Sequence, residues 1–504
     1  MLPPLPAHLR LLSFVLSAAL LSGNAVGQSA GSQVYKLVDE EGRVTYTNVP
    51  ERGVAGKRYL AIPVGEAGGT PSSPAGRDSR LERTPAVPDE APMAVDPGKL
   101  PQQVLTFTTQ SSAQDLRCGN SGRRPPSSLH SPPPQPASPA GSRGVSEPRP
   151  HRIAIWGDSH VSGDVLISEV VRSLEANGRM VRQLAFPLVA IQPGSPHFLR
   201  MACLPPEEWE SVATFRAAKP VATGPSLMTL YSTTTGSRLA LDLRDRAGAR
   251  AQETAVLRYT PLKVGTSLAI SIDGGAEQVV RLFGDADPGG RLAELVVRAN
   301  GPIATMSVRV ASGTLALQAI VLPPSSPDAP AIDVFGLRSA TVHGWSHADP
   351  KVIQAALSGI QYDTVILAYG TNEGAGSLYQ RDTYLKDLRR AAANFRAVFP
   401  TQSCLMAGPP DRGVTRPTDG TAAPQALFYS SRHREISRAQ EQVAKEFRCQ
   451  FWDWQADMGG PGSSYAWARM TPPLMQADLT HLTGDGYRRS GLALARALKL
   501  SRGP

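Results

Sequence analysis

The chain has 504 residues, 41% of them hydrophobic, which is enough for two or three domains with substantial cores. Its formal charge of +9 comes from scattered basic residues with no basic cluster interleaved with aromatics, which excludes the usual nucleic-acid-binding signature. The four cysteines are too widely spaced for a zinc site, and no cofactor is expected.

Residues 1–27 read as an export signal: Arg10 supplies positive charge, Leu11 to Leu21 an apolar core, and Ala25-Val26-Gly27 a small-residue cleavage site. That apolar run is too short to span a bilayer, and no later stretch qualifies. A periplasmic or secreted location follows, and with it the possibility of disulfides.

Residues 33–65 read as a small β module. Alternating runs flank Glu40-Glu41-Gly42-Arg43, a hairpin signal, and Lys57 to Ile62 adds a third strand. This stretch resembles a small domain of unknown function found in many exported bacterial proteins. Residues 66–150, rich in Pro, Ser, Gly and Ala, read as a linker that buries too little apolar surface to order itself. Within it, Cys118 is the one reason to expect a local anchor.

From residue 151 strands and helices alternate. Arg152 to Trp156, Thr364 to Tyr369, Cys404 to Ala407 and the run "CQFWDW" read as buried strands with amphipathic helices between them, which implies a parallel sheet covered on both faces. Residues 210–330 break that rhythm with about eight short alternating runs and no helix, the pattern of a β-sandwich. The domain reading is therefore an α/β domain over 151–209 and 331–504 with a sandwich inserted at 210–330. No tryptophan lies between 210 and 344, so a structural role for the insert is at least as well supported as sugar binding. Cys404 and Cys449 stand in runs placed on neighbouring strands and are expected to form a disulfide.

Three stretches carry chemistry. "WGDSHVSGD" at 156–164 puts Ser159 on a strand-to-helix turn at the carboxyl end of the sheet, where open α/β folds place their sites. "AYGTNEG" at 368–374 puts Asn372 on a second such turn, able to aim its amide at a developing oxyanion. "DLTHLTGDGY" puts Asp478 three residues before His481, close enough to accept its Nδ1 proton and leave Nε2 free for a serine hydroxyl. Singly, each has a bland reading: a helix cap, a turn, a surface Asp–His pair.

Together, in this order, they resemble the SGNH/GDSL hydrolase superfamily. "GDSH", "AYGTNE", "GPPD" and "FWDWQADMGG" are similar to the branch that includes bacterial peptidoglycan O-acetylesterases. The α/β-hydrolase alternative needs G-x-S-x-G, and Val161 stands at the second glycine position. The resemblance implies a three-layer, flavodoxin-like α/β fold with an inserted β-sandwich and a catalytic set of Ser159, His481 and Asp478. It further implies an oxyanion hole from the Ser159 N–H, Asn372 and a second-block N–H. In that second block, "GLRSA" at 336–340 places Ser339 where the branch has glycine. His160 and Gly370, on the two turns, are expected to contact substrate. The expected activity is removal of O-acetyl groups from an envelope polysaccharide such as peptidoglycan. A polysaccharide O-acetyltransferase and a non-catalytic glycan-binding protein are the alternatives. Oligomeric state is open.

Overall fold

The computed structural model describes residues 34–38, 44–47, 58–62, 100–109, 151–162, 165–175, 180–188, 201–245, 248–284, 292–324, 329–375, 379–414 and 427–500. The expected export signal and Cys118 lie outside the described residues. The chain divides into two compact units, residues 1–92 and 93–504.

In the first unit, Val34–Val38 is the centre of a three-stranded antiparallel sheet, flanked by Val44–Thr47 and Arg58–Ile62. This is the expected hairpin with its third strand.

In the second unit a five-stranded parallel sheet forms the base of the α/β layer. Its strands, in spatial order, are Ala331–Gly336, Arg152–Gly157, Thr364–Ala368, Ser403–Ala407 and Gln450–Trp452. Numbered along the chain this is the order 2-1-3-4-5 of flavodoxin-like sheets, whose switch point lies beside the first strand. Both faces are covered, which is why the strands read as near-continuous apolar runs. On one face Ile153 and Ile155 pack with Leu166, Val170 and Leu494, from the helices Val165–Glu175 and Gly484–Ala497. On the other, Ala154 and Trp156 pack with Phe395, Ile436 and Val443, from Arg381–Val398 and Phe428–Glu446.

Trp156 joins this layer to the inserted sandwich. Its ring is fully buried, stacks on Phe335 at 4.8 Å, and donates its indole N–H to Pro225 O at 2.6 Å. The sandwich has a five-stranded sheet and a seven-stranded sheet that share one apolar core.

Two boundaries differ from the sequence reading. Gln102–Phe107, within the stretch read as linker, is a strand that pairs in parallel with Ala293–Ile303 at the edge of the seven-stranded sheet. The strand is six residues long in a Pro-rich context, and only Phe107 among them is fully buried, so its alternation is too short to stand out. The sandwich also begins before residue 210: Ala185–Phe186 pairs with Ala316–Val321, and Met201–Cys203 with Arg238–Asp242. Strands of two and three residues leave no readable period.

Cys404 and Cys449 form a disulfide across a sequence separation of 45 residues, with Cα atoms 4.6 Å apart. Leu405 is paired with Gln450, so each cysteine sits one residue before a register pair of adjacent parallel strands.

Candidate active site

The site stands at the carboxyl ends of the first three strands of the parallel sheet. Arg152–Gly157 ends at a glycine because a Cβ there would lie 2.3 Å from Val161 Cγ2 and 2.6 Å from Ala368 O. The chain therefore turns tightly into the short helix Ser159–Ser162, with Val161 and Ser162 N–H both bonded to Asp158 O. Asp158 shapes that turn: its buried carboxylate accepts the His160 N–H at 2.9 Å, and burial pushes its pKa up to about 6.

Ser159 Oγ lies 3.1 Å from His481 Nε2. On the far side of the ring, His481 Nδ1 lies 2.7 Å from Asp478 Oδ2. The turn that holds the pair is a closed one. Asp478 Oδ1 accepts the N–H groups of both Thr480 and His481 at 2.9 Å, and Leu479 adopts a left-handed φ of 51°. These bonds favour the ionised form of Asp478 over the burial that opposes it, and its pKa falls below the usual carboxylate range. An ionised Asp478 fixes the tautomer that leaves His481 Nε2 as the acceptor facing Ser159.

Ser159, Ser339, Asn372, Asp478 and His481 all line one open cleft of about 640 Å³. Asn372 Nδ2 donates one hydrogen to Ala340 O at 2.8 Å, which leaves its second for another acceptor. Its neighbour Glu373 accepts the Val342 N–H at 2.7 Å. These two side chains clamp the 339–342 segment onto the third strand's turn. Ser339 takes a left-handed φ of 61°, the conformation that the missing glycine would adopt without strain.

Two residues expected at the substrate lie elsewhere. His160 is only 2% exposed and is absent from the cleft lining. One residue along a helix turns the side chain by about 100°, so with Ser159 facing the cleft His160 points into the core. There its Nδ1 meets the Tyr487 hydroxyl at 3.0 Å and its ring packs against Trp454. Gly370 is also buried away from the lining. It has φ 130°, and a Cβ on it would lie 2.8 Å from Pro409 Cδ, so this glycine serves backbone packing.

Sequence reasoning missed two arginines of the cleft, Arg338 and Arg412. Arg338 neighbours Ser339 inside "GLRSA", and Arg412 follows directly on "GPPD", so both were adjacent to motifs read for other reasons.

The 2-1-3-4-5 sheet and the hydrogen-bonded Ser159, His481 and Asp478 at its carboxyl end make a site able to carry out serine-based ester hydrolysis. Residues 315–489 match the model of the GDSL-like Lipase/Acylhydrolase family. The matched span contains Asn372, Asp478 and His481, while Ser159 joins them by the pairing of its strand with Thr364–Ala368. Residues 18–93 match a domain of unknown function, DUF4124. Among solved structures, a peptidoglycan O-acetylesterase is similar over 70% of this chain and 91% of its own, at 20% identity and a TM-score of 0.54. A variant of an acetyl-xylooligosaccharide esterase from Geobacillus Stearmophilus is similar over 35% of this chain and 78% of its own, at 16% identity and a TM-score of 0.25. No curated protein matches the chain in sequence.

Proposed function

We propose that the protein is an exported serine esterase that releases acetate from an O-acetylated cell-wall or envelope polysaccharide, peptidoglycan being one such polymer. The observation that carries this reading is the hydrogen-bonded series Ser159 Oγ–His481 Nε2 and His481 Nδ1–Asp478 Oδ2, at 3.1 and 2.7 Å. His481 takes the Ser159 proton as Oγ attacks the ester carbonyl, and Asp478 stabilises the imidazolium that forms. The tetrahedral oxyanion is met by the N–H groups of Ser159 and Ser339 and the second Asn372 amide hydrogen. His481 then returns its proton to the leaving sugar oxygen. A water activated by the same imidazole attacks the acyl-enzyme, releases acetate and restores Ser159.

Two features favour hydrolysis of short acyl groups. The His481 and Asp478 side chains are 37% and 47% exposed, which leaves the base open to water and disfavours transfer to a second sugar. Ala375 is the one apolar side chain among the described lining residues, a poor surface for a long acyl chain. On this reading the α/β layer carries catalysis and the inserted sandwich is a scaffold. The export signal over 1–27 and the polymer substrate belong to this proposal.

The test is acetate release from O-acetylated polysaccharides alongside aryl esters of increasing acyl length. Acetate esters are cleaved fastest, and Ser159→Ala is inactive on every substrate. Faster cleavage of butyrate or longer esters, with no acetate released from acetylated glycans, would refute the polysaccharide reading.

A further inference from the structure

The cleft is positively charged beyond what ester hydrolysis needs. Its ionisable lining residues are Asp478, His481, Arg338 and Arg412, and Asp478 is engaged with His481. The oxyanion already has three donors in the Ser159 and Ser339 N–H groups and the Asn372 amide, so the Arg412 guanidinium at the same cleft suits a different part of the substrate.

Arg412 is held in place by its surroundings. The preceding residue, Asp411, is fully buried, and its carboxylate accepts Gln455 Nε2 and Ser464 N–H, each at 2.8 Å. The Arg412 carbonyl accepts the Ser430 hydroxyl at 3.0 Å. Its guanidinium carbon stands 4.4 Å from the centre of the Tyr429 ring, a cation–π contact that holds the group in place. The buried Arg412 Nε has no hydrogen-bond partner. A buried donor without an acceptor is costly unless a ligand supplies one. A pre-oriented guanidinium in the cleft wall suits an anionic group carried by the substrate.

We propose that the cleft selects O-acetyl esters on an acidic glycan, with Arg412 binding a carboxylate carried near the ester. This deepens the esterase reading above and rests on it. The carboxylate can belong to the sugar itself, as in a uronate, or to a peptide borne by the sugar.

The experiment uses the full chain and two pairs of polymers. One pair is an O-acetylated polyuronate and the same material with its carboxylates converted to amides. The other is O-acetylated peptidoglycan before and after the same amidation of its stem-peptide carboxylates. An aryl acetate serves as the uncharged reference. The wild type favours the carboxylate form of at least one pair by about tenfold or more in kcat/KM, and added salt narrows that gap. The pair that responds identifies the source of the carboxylate. Arg412→Gln removes most of the preference through KM, while Arg412→Lys, a point charge without the planar fork, retains part of it. Equal rates on both members of both pairs would overturn the inference. So would an Arg412→Gln loss as large on the aryl acetate as on the acidic polymer. Failure to cleave the aryl acetate at all would instead contradict the esterase reading, so the two failures are distinct.

Discussion

The imidazole of His160 lies with its centre 5.4 Å from that of His481, the two planes 40° apart, and its Nδ1 is 3.0 Å from the Tyr487 hydroxyl. Burial, and then the neighbouring His481, hold its pKa well below that of a free imidazole, so it stays neutral beside His481. His160 therefore acts as a packed wall behind the base. His160→Phe keeps the wall and is expected to stay within about fivefold of wild-type kcat. His160→Ala leaves a cavity behind His481 and is expected to lose more than about tenfold in kcat and about 2 kcal/mol or more in stability. Kinetics on an aryl acetate together with thermal melts check both.

Asn372 and Ser339 test the oxyanion hole from two sides. Asn372→Ala removes an amide donor and frees the Ala340 carbonyl, so kcat falls by about a hundredfold or more with the protein still folded. Ser339→Gly keeps the backbone N–H and relieves the left-handed φ of 61°. It is expected to retain wild-type kcat and gain about 1 kcal/mol of stability. A large kcat loss in Ser339→Gly would show that the serine hydroxyl takes part in the chemistry.

The Cys404–Cys449 bond closes a 45-residue span that contains the helix Phe428–Glu446. Replacing both cysteines by serine is expected to cost about 2–4 kcal/mol, through the larger entropy of the unfolded chain. Denaturant unfolding of oxidised wild type against the double variant measures it, and reductant lowers the wild type toward the variant.

Beneath the site sit two carboxyl groups that burial makes weak acids. Glu373 is pushed up to about 7 and Asp158 to about 6. In the unfolded chain both titrate near about 4. Between about pH 4 and 7 the folded state therefore holds more protons than the unfolded state, and stability falls as pH rises across that window. Glu373→Gln removes one of the two contributions. The variant is expected to lose less stability than wild type between pH 5 and 8, by an amount on the order of 3 kcal/mol or less. Melting temperatures at the two pH values decide it.

The parallel layer was legible because its strands are buried on both faces and end in Gly-Asp-Ser and Gly-Thr-Asn. Asp478 and His481 were legible because three residues of a tight turn suffice to join them. His160 and Gly370 were misread because nearness in sequence to a reactive side chain says nothing of direction: a helix turns the next residue inward, and a glycine has no side chain to offer. Arg412 carried no periodic or motif signal, since its place in the cleft depends on Asp411, Gln455 and Ser464, which meet only in the folded chain. The strand Gln102–Phe107 was hidden for a similar reason, as its partner Ala293–Ile303 is almost 200 residues away.

The central claim is that Ser159 is the nucleophile that His481 activates. The most direct measurement is peptide mapping by mass spectrometry after treatment with a serine-reactive fluorophosphonate. The account predicts a single adduct on the peptide that contains Ser159, with labelling slowed by orders of magnitude in His481→Ala. An adduct on another serine, or equal labelling of Ser159 with and without His481, would contradict it.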